Sequence, residues 1–124
     1  MSQDTILIAL YVITMLNVLI SAGFSIAGLA SPASVVPPPH NDASATFAMY
    51  AAARALPLAF VTLVAVLVHS TLAVFWLGFL AALIQFADGY IGFRQRDNRR
   101  TFGPIVVGVI QLIAVVVARQ NGIA

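Results

Sequence analysis

The chain has 124 residues, of which 61% are hydrophobic and only 8% are charged, and its mean hydropathy is +1.01. This composition excludes an ordinary water-soluble domain and indicates an integral membrane protein. The lack of cysteine excludes thiol–disulfide enzymes, thiolate metal sites and S-palmitoylation. The pI near 9.7 does not predict nucleic-acid binding, because it arises from six basic and four acidic residues, most of the basic ones beside one predicted span.

Four apolar runs follow one another along the chain, at residues 5–29, 47–68, 71–93 and 102–118. A hydrocarbon core of about 30 Å needs about 20 apolar residues per helix, and transmembrane β-strands would instead alternate apolar with polar residues. The first run is too long for a secretory signal core and follows an acidic N-terminus. The sequence therefore predicts one transmembrane domain over residues 1–124, an all-α integral membrane four-helix bundle.

The basic residues predict the orientation of this bundle. All six are arginines, and four of them lie in the short segment 94–100. The positive-inside rule places that segment in the cytoplasm, so both termini are expected outside, in a bacterial inner (cytoplasmic) membrane. His69 and Ser70 alone separate the second and third runs, which predicts antiparallel neighbouring transmembrane helices. Residues 30–46, rich in proline, serine and alanine, are expected to form a solvated connector.

Two opposite charges lie inside the predicted spans. At about 1.5 Å of rise per residue, Arg54 lies roughly 10 Å from the cytoplasmic end of the second helix, and Asp88 roughly 9 Å from that end of the third. An arginine that faces lipid at mid-helix costs about 2.5–3.5 kcal/mol on insertion scales. We therefore expect Arg54 and Asp88 to face the bundle interior and to form an ion pair.

Other polar residues lie at similar depths and predict a polar cluster around this pair. Tyr50 is four residues from Arg54, and Gln85 is three from Asp88, so each pair is expected to share a helical face. The outer half of the bundle is predicted to be almost wholly apolar. The residues expected to contact a ligand in the cytoplasmic half are Asn17, Ser21, Tyr50, Gln85 and Gln111.

Two functions fit such a cluster. In one, it is a cavity for a lipid-like or isoprenoid/quinone-like molecule, and Asp88 acts as acid or base while Arg54 holds an anionic or carbonyl oxygen. In the other, the protein is a structural or accessory subunit of another membrane protein or of a homodimer, and Arg54/Asp88 is only a helix-packing latch. The sequence offers no metal-ligand cluster and no cofactor motif, and it leaves open whether the protein is an enzyme.

Two further patterns bear on partners. Small residues spaced four apart at 78–82, and similar spacing at 23–28, allow close helix approach, and packing inside one bundle is the simpler interpretation. A small multidrug transporter would also have four helices, but such proteins carry a carboxylate in the first helix, where this chain has none within the apolar run. Membrane lipids are expected partners, and nucleic acid is not.

The order of these features resembles the small four-helix, DoxX-like integral membrane proteins of bacteria and fungi, a family of unknown function. The resemblance covers nearly the whole chain through "ASPAS", "YAAARALPLA", "FADGYIGFR" and the last apolar run. It implies a four-helix membrane fold and makes a quinone-linked or membrane-oxidase partner conceivable. In that family the arginine is commonly followed by an acidic residue and then a glycine. Ala55 and Ala59 stand near those places, so any role of that acid is missing here.

Overall fold

The computed structural model describes residues 1–34 and 38–124. Four long α-helices account for most of this part of the chain: α1 (Gln3–Ala30), α2 (Asp42–Leu67), α3 (Thr71–Arg94) and α4 (Asn98–Gln120). Each is long and apolar enough to cross a membrane. The predicted all-α four-helix bundle is confirmed, and the protein is of the multi-pass membrane type.

The second helix begins at Asp42, before the predicted residue 47, because a capping box extends it. The Asn41 side chain accepts from the first turn of α2, and the Ser44 hydroxyl accepts from the Asn41 backbone N–H at 3.1 Å. The expected connector is therefore shorter than residues 30–46, and its described part contains a 3₁₀ turn, Pro32–Ser34. The part of that prediction concerning residues 35–37 lies outside the described chain.

The fourth helix likewise begins earlier than predicted, at Asn98 instead of 102. Asp97 is its N-cap, and its side chain accepts hydrogen bonds from the backbone N–H groups of Arg99 and Arg100. Polar residues after such a cap extend the helix beyond its apolar run. Hydropathy alone therefore cannot predict that α4 begins at Asn98.

The helices form two hairpins, α1–α2 and α3–α4, and the two helices of each hairpin contact each other more than any pair of helices from different hairpins does. Between the hairpins, α1 contacts both α3 and α4. Among the α-helix pairs that touch, α2 and α3 make the sparsest contact, although the short turn at His69 joins them. Helix α2 does not contact α4 anywhere in the described ranges. We call the end of the bundle with the α3–α4 connection the arginine-loop end, and the opposite end, with both chain termini, the terminus end.

Glycines allow α3 and α4 to approach closely. A Cβ at Gly92 would clash with the backbone carbonyl of Arg100, and one at Gly89 would clash with the side chain of Ile105. From the other side, Gly108 lies against Phe86. A Cβ at Gly78 would likewise meet the side chains of Gln111 and Thr14, so segment 78–82 packs inside the bundle as predicted. The same prediction is wrong for Gly23 in segment 23–28, where a Cβ would meet nothing within 4 Å.

Most of the helical surface is apolar and faces outward. No more than 39% of the membrane-spanning window of any helix is buried, and in α2 the buried share is only 22%. A contiguous apolar surface of this extent is expected where lipid chains are the solvent. The apolar core lies toward the terminus end, where Leu10, Val74 and Val115 are buried together.

Candidate functional site

A hydrogen-bonded set of polar side chains, here called the amide network, crosses the middle of the bundle. Gln85 Nε2 on α3 donates to Asn17 Oδ1 at 2.7 Å and to the Ser21 hydroxyl at 3.2 Å, both on α1. Asn17 Nδ2 donates to Gln111 Oε1 on α4 at 3.1 Å, and Gln111 Nε2 donates to Thr14 Oγ1 at 2.9 Å. These four bonds join α1 to α3 and α4.

The amide network is buried except at Ser21, which is half-buried, and its members bond to one another. Thr14 and Gln111 have no exposed surface, and Asn17 is 2% exposed. Within residues 1–34 and 38–124, no buried side-chain nitrogen or oxygen is left without a hydrogen-bond partner. Because burying an unpaired amide is costly, this arrangement stabilises one register of three helices. It also leaves these amides little capacity to bind a ligand.

Two apolar grooves on the bundle surface lie away from the amide network. One lies between α3 and α4 at the terminus end, and the other lies between α1 and α4 and includes Ile6, Ile13 and Ile110. Neither is lined by Asn17, Gln85 or Gln111. These grooves therefore do not form the polar interior cavity that is predicted from the sequence.

Arg54 and Asp88 form the expected ion pair, but at the outer surface. Arg54 Nη2 donates to Asp88 Oδ1 at 2.9 Å and to Oδ2 at 3.3 Å, which joins α2 to α3. The Arg54 side chain is 50% exposed and that of Asp88 is 29% exposed. The expectation that both charges face the interior is therefore wrong. Sparse packing between α2 and α3 leaves the pair open to the surroundings of the bundle.

The single polar cluster predicted around the ion pair does not form. Tyr50 is 70% exposed and does not join the cluster, because α2 buries a stripe of small residues that includes Ala48, Ala52 and Ala55. Gln85 turns toward α1 while Asp88 turns toward α2, so these two side chains have different neighbours. Asn17, Ser21, Gln85 and Gln111 do come together as expected.

Two features of the structure are not among the predictions from the sequence. Thr14 completes the amide network, and its spacing of three residues from Asn17 and seven from Ser21 was the signal for a shared face. Pro57 lies inside α2 and, having no N–H, cannot donate the usual helical hydrogen bond to the carbonyl of Ala53. That carbonyl belongs to the residue before Arg54.

We call the surface formed by Arg54, Asp88 and the Ala53 carbonyl the Arg54 patch. Only Nη2 of Arg54 bonds to Asp88, and among the described residues its Nε and Nη1 donate to none. One and two turns toward the terminus end, helical spacing places Leu58 and Val61 on the same stripe of α2. The Arg54 patch therefore combines spare N–H donors with an adjoining apolar strip.

Comparison with known proteins adds no relative: no protein-family model matches the chain, and neither the curated proteins nor the solved structures include a match. The DoxX-like resemblance therefore remains a prediction.

Proposed function

We propose that this protein binds a lipid-like or isoprenoid/quinone-like amphiphile at the Arg54 patch. The polar head accepts hydrogen bonds from Arg54, and the apolar tail lies along the α2 strip beside the α2–α3 boundary. The observation that carries the proposal is a half-exposed guanidinium within a membrane span, with Nε and Nη1 bonded to no described residue. Such donors need a partner wherever water is scarce.

The depth of the Arg54 patch fits the head of an amphiphile. Arg54 lies about 20 Å from the end of α2 at Leu67, at about 1.5 Å per residue. In a hydrocarbon core of about 30 Å, this leaves about 10 Å to the membrane boundary at the arginine-loop end. Long arginine side chains extend toward that boundary and can bind a phosphate or carbonyl oxygen there.

Asp88 positions the guanidinium in this proposal. Both carboxylate oxygens accept from the same nitrogen of Arg54, which holds Nη2 against α3 and leaves Nε and Nη1 to donate to a ligand. Catalysis by Asp88 and Arg54 is a separate prediction. It requires that Asp88→Asn abolish turnover of the bound molecule while binding persists.

A second candidate function is an accessory subunit that binds another membrane protein. The observation that favours it is the light burial of α2, whose outer surface presents Phe47, Tyr50 and Phe60. With the amide network satisfied internally, Arg54/Asp88 would then be only a latch between α2 and α3. In this case the purified protein carries no specific small molecule, and cross-linking in native membranes captures a protein partner or a second copy.

The deciding experiment compares the molecules carried by purified variants. Wild type and an Arg54→Leu/Asp88→Leu double variant, which stays neutral overall at this site, are purified in mild detergent, extracted with organic solvent and analysed by mass spectrometry. We expect one species at near-stoichiometric amount in wild type and its loss from the folded double variant. Identical generic lipids in both would overturn the proposal and favour the accessory-subunit function.

Two variants refine this comparison. Arg99→Leu removes an exposed arginine from the first turn of α4 and should leave the carried species unchanged, which controls for the loss of an arginine elsewhere on the protein. Arg54→Lys keeps the charge but loses the planar fork of donors, so it should retain the ion pair and carry less of the species. Equal loss from Arg99→Leu would show that the ligand responds to charge anywhere on the protein.

A further inference from the structure

An apolar groove runs along the α3–α4 face at the terminus end, with a volume of about 360 Å³. Its wall on α3 is a run of three aromatic rings, in which Trp76 packs edge to face with Phe75 at 5.2 Å and with Phe79 at 6.2 Å between ring centroids. Leu112, Val115 and Val116 of α4 form the rest of the lining. Its volume is within the range of small-ligand sites.

The groove is apolar along most of its length and has a positive charge at the end nearest the chain termini. From Leu112 to Arg119 the α4 axis rises by about 10 Å, so the guanidinium lies at the terminus end of a strip of aliphatic and aromatic side chains. Beside Arg119, Gln120 adds an uncharged polar side chain to this lining. An amphiphile with a negatively charged head complements this groove, because its head can contact Arg119 while its apolar tail contacts the apolar lining.

Arg119 is held in place by the fold. Gly122, with φ of +70°, ends α4 in a tight turn in which Ile123 N donates to Ala118 O at 3.0 Å. This turn brings the backbone oxygen of Ala124 within 2.7 Å of Arg119 Nη1, while Nε and Nη2 bond to no described residue. Arg119 is also the only arginine at the terminus end, opposite the arginine-loop end where four of the six lie.

We propose that this groove binds an acyl chain of an anionic phospholipid, whose phosphate accepts hydrogen bonds from Arg119. The site is in the opposite leaflet from the Arg54 patch and does not depend on the function proposed there. Apolar contact along the groove supplies binding, and the single cation supplies the preference for an anionic headgroup. One basic residue near a membrane surface contributes about 1 kcal/mol, which corresponds to about a fivefold preference.

The protein contains a natural probe of this groove, because Trp76 is its only tryptophan and is 58% exposed. The full chain is reconstituted into vesicles of phosphatidylcholine and phosphatidylglycerol in which only one of the two lipids carries brominated acyl chains. Bromine quenches nearby indole fluorescence. We expect brominated phosphatidylglycerol to reach half-maximal quenching at about one fifth of the mole fraction that brominated phosphatidylcholine requires.

Three variants test the cause of the preference. Arg119→Gln should reduce it to about one, and Arg119→Lys should retain most of it, which separates charge from any loss of folding. Arg99→Gln, at the opposite end of the bundle, should leave it unchanged. Equal quenching by both lipids in wild type, or a preference that survives Arg119→Gln, would overturn the proposal. Trp76 quenched by neither lipid would overturn it as well, since a second copy or another protein segment would then cover the groove.

Discussion

Asn17 Oδ1 accepts a 2.7 Å hydrogen bond from Gln85 Nε2 at the buried centre of the bundle. The other end of the same amide donates to Gln111, so Asn17 is the residue through which α3 and α4 are both bonded to α1. A residue with two buried amide partners should be more sensitive to truncation than one at the edge of the network.

Replacing Asn17 with leucine should lower the free energy of unfolding by about 2 kcal/mol, because it leaves the amides of Gln85 and Gln111 each short of a partner. Unfolding is measured by titrating the detergent-solubilised protein with sodium dodecyl sulfate and following helical circular dichroism. Gln95→Leu, at an exposed position after α3, is the matched control and should change stability by less than about 0.5 kcal/mol. If both variants lose the same stability, the hydrogen bonds of Asn17 contribute nothing measurable.

Gly92→Ala should destabilise the protein by about 1–3 kcal/mol, since the added methyl group meets the backbone of Arg100 and Thr101, which cannot rotate away. The same substitution at Gly23 is the control, because a Cβ there meets nothing within 4 Å. Gly23→Ala should be neutral or slightly stabilising, as expected for glycine in a helix interior. The sodium dodecyl sulfate titration distinguishes the two, and equal effects would show that α3 and α4 are not in close contact at Gly92.

Hydropathy predicts the number and approximate position of the helices, but not where each helix begins. The four spans follow from the length of the apolar runs, whereas the early starts of α2 and α4 depend on the caps at Asn41 and Asp97. The depth of Asn17 and Gln111 follows from helical rise. The outward position of Tyr50 cannot be predicted in this way, because α2 is apolar on every side. The packing of its alanines determines which face is buried.

The same reasoning explains the ion pair. Opposite charges at equal depth on helices joined by a short turn predict that Arg54 and Asp88 meet, and they do. Whether they meet inside or outside the bundle depends on how closely α2 and α3 pack, and the sequence carries no direct signal of that. The sequence therefore predicts a ligand cavity in the interior, where the structure instead has amides that bond to one another.

Removing one member of the surface ion pair should destabilise the protein more than removing both. Asp88→Leu leaves the Arg54 guanidinium without its carboxylate in a membrane span, whereas Arg54→Leu/Asp88→Leu removes both charges and should stay within about 1 kcal/mol of wild type. Detergent unfolding of wild type and the two variants measures the order of their stabilities. A double variant less stable than the Asp88→Leu variant would show that the apolar pair packs poorly between α2 and α3.

The orientation is testable with single cysteines, because the natural chain has none to interfere. With the α3–α4 connection in the cytoplasm, Gln95→Cys should be protected from a membrane-impermeant maleimide in intact bacterial spheroplasts and labelled after lysis. Ser2→Cys should be labelled in both conditions. Labelling of Gln95→Cys and protection of Ser2→Cys in intact spheroplasts would show the reverse orientation, and labelling of both would show two orientations.

The placement of the hydrogen bonds also bears on how the chain is made. The four bonds of the amide network, together with Tyr11–Thr71 and Arg54–Asp88, all join the first hairpin to the second. During synthesis, α1 and α2 enter the membrane with the amide of Asn17 still unpaired by protein. Docking of the second hairpin then supplies its partners, so a chain whose hairpins are not docked exposes unpaired polar groups to lipid.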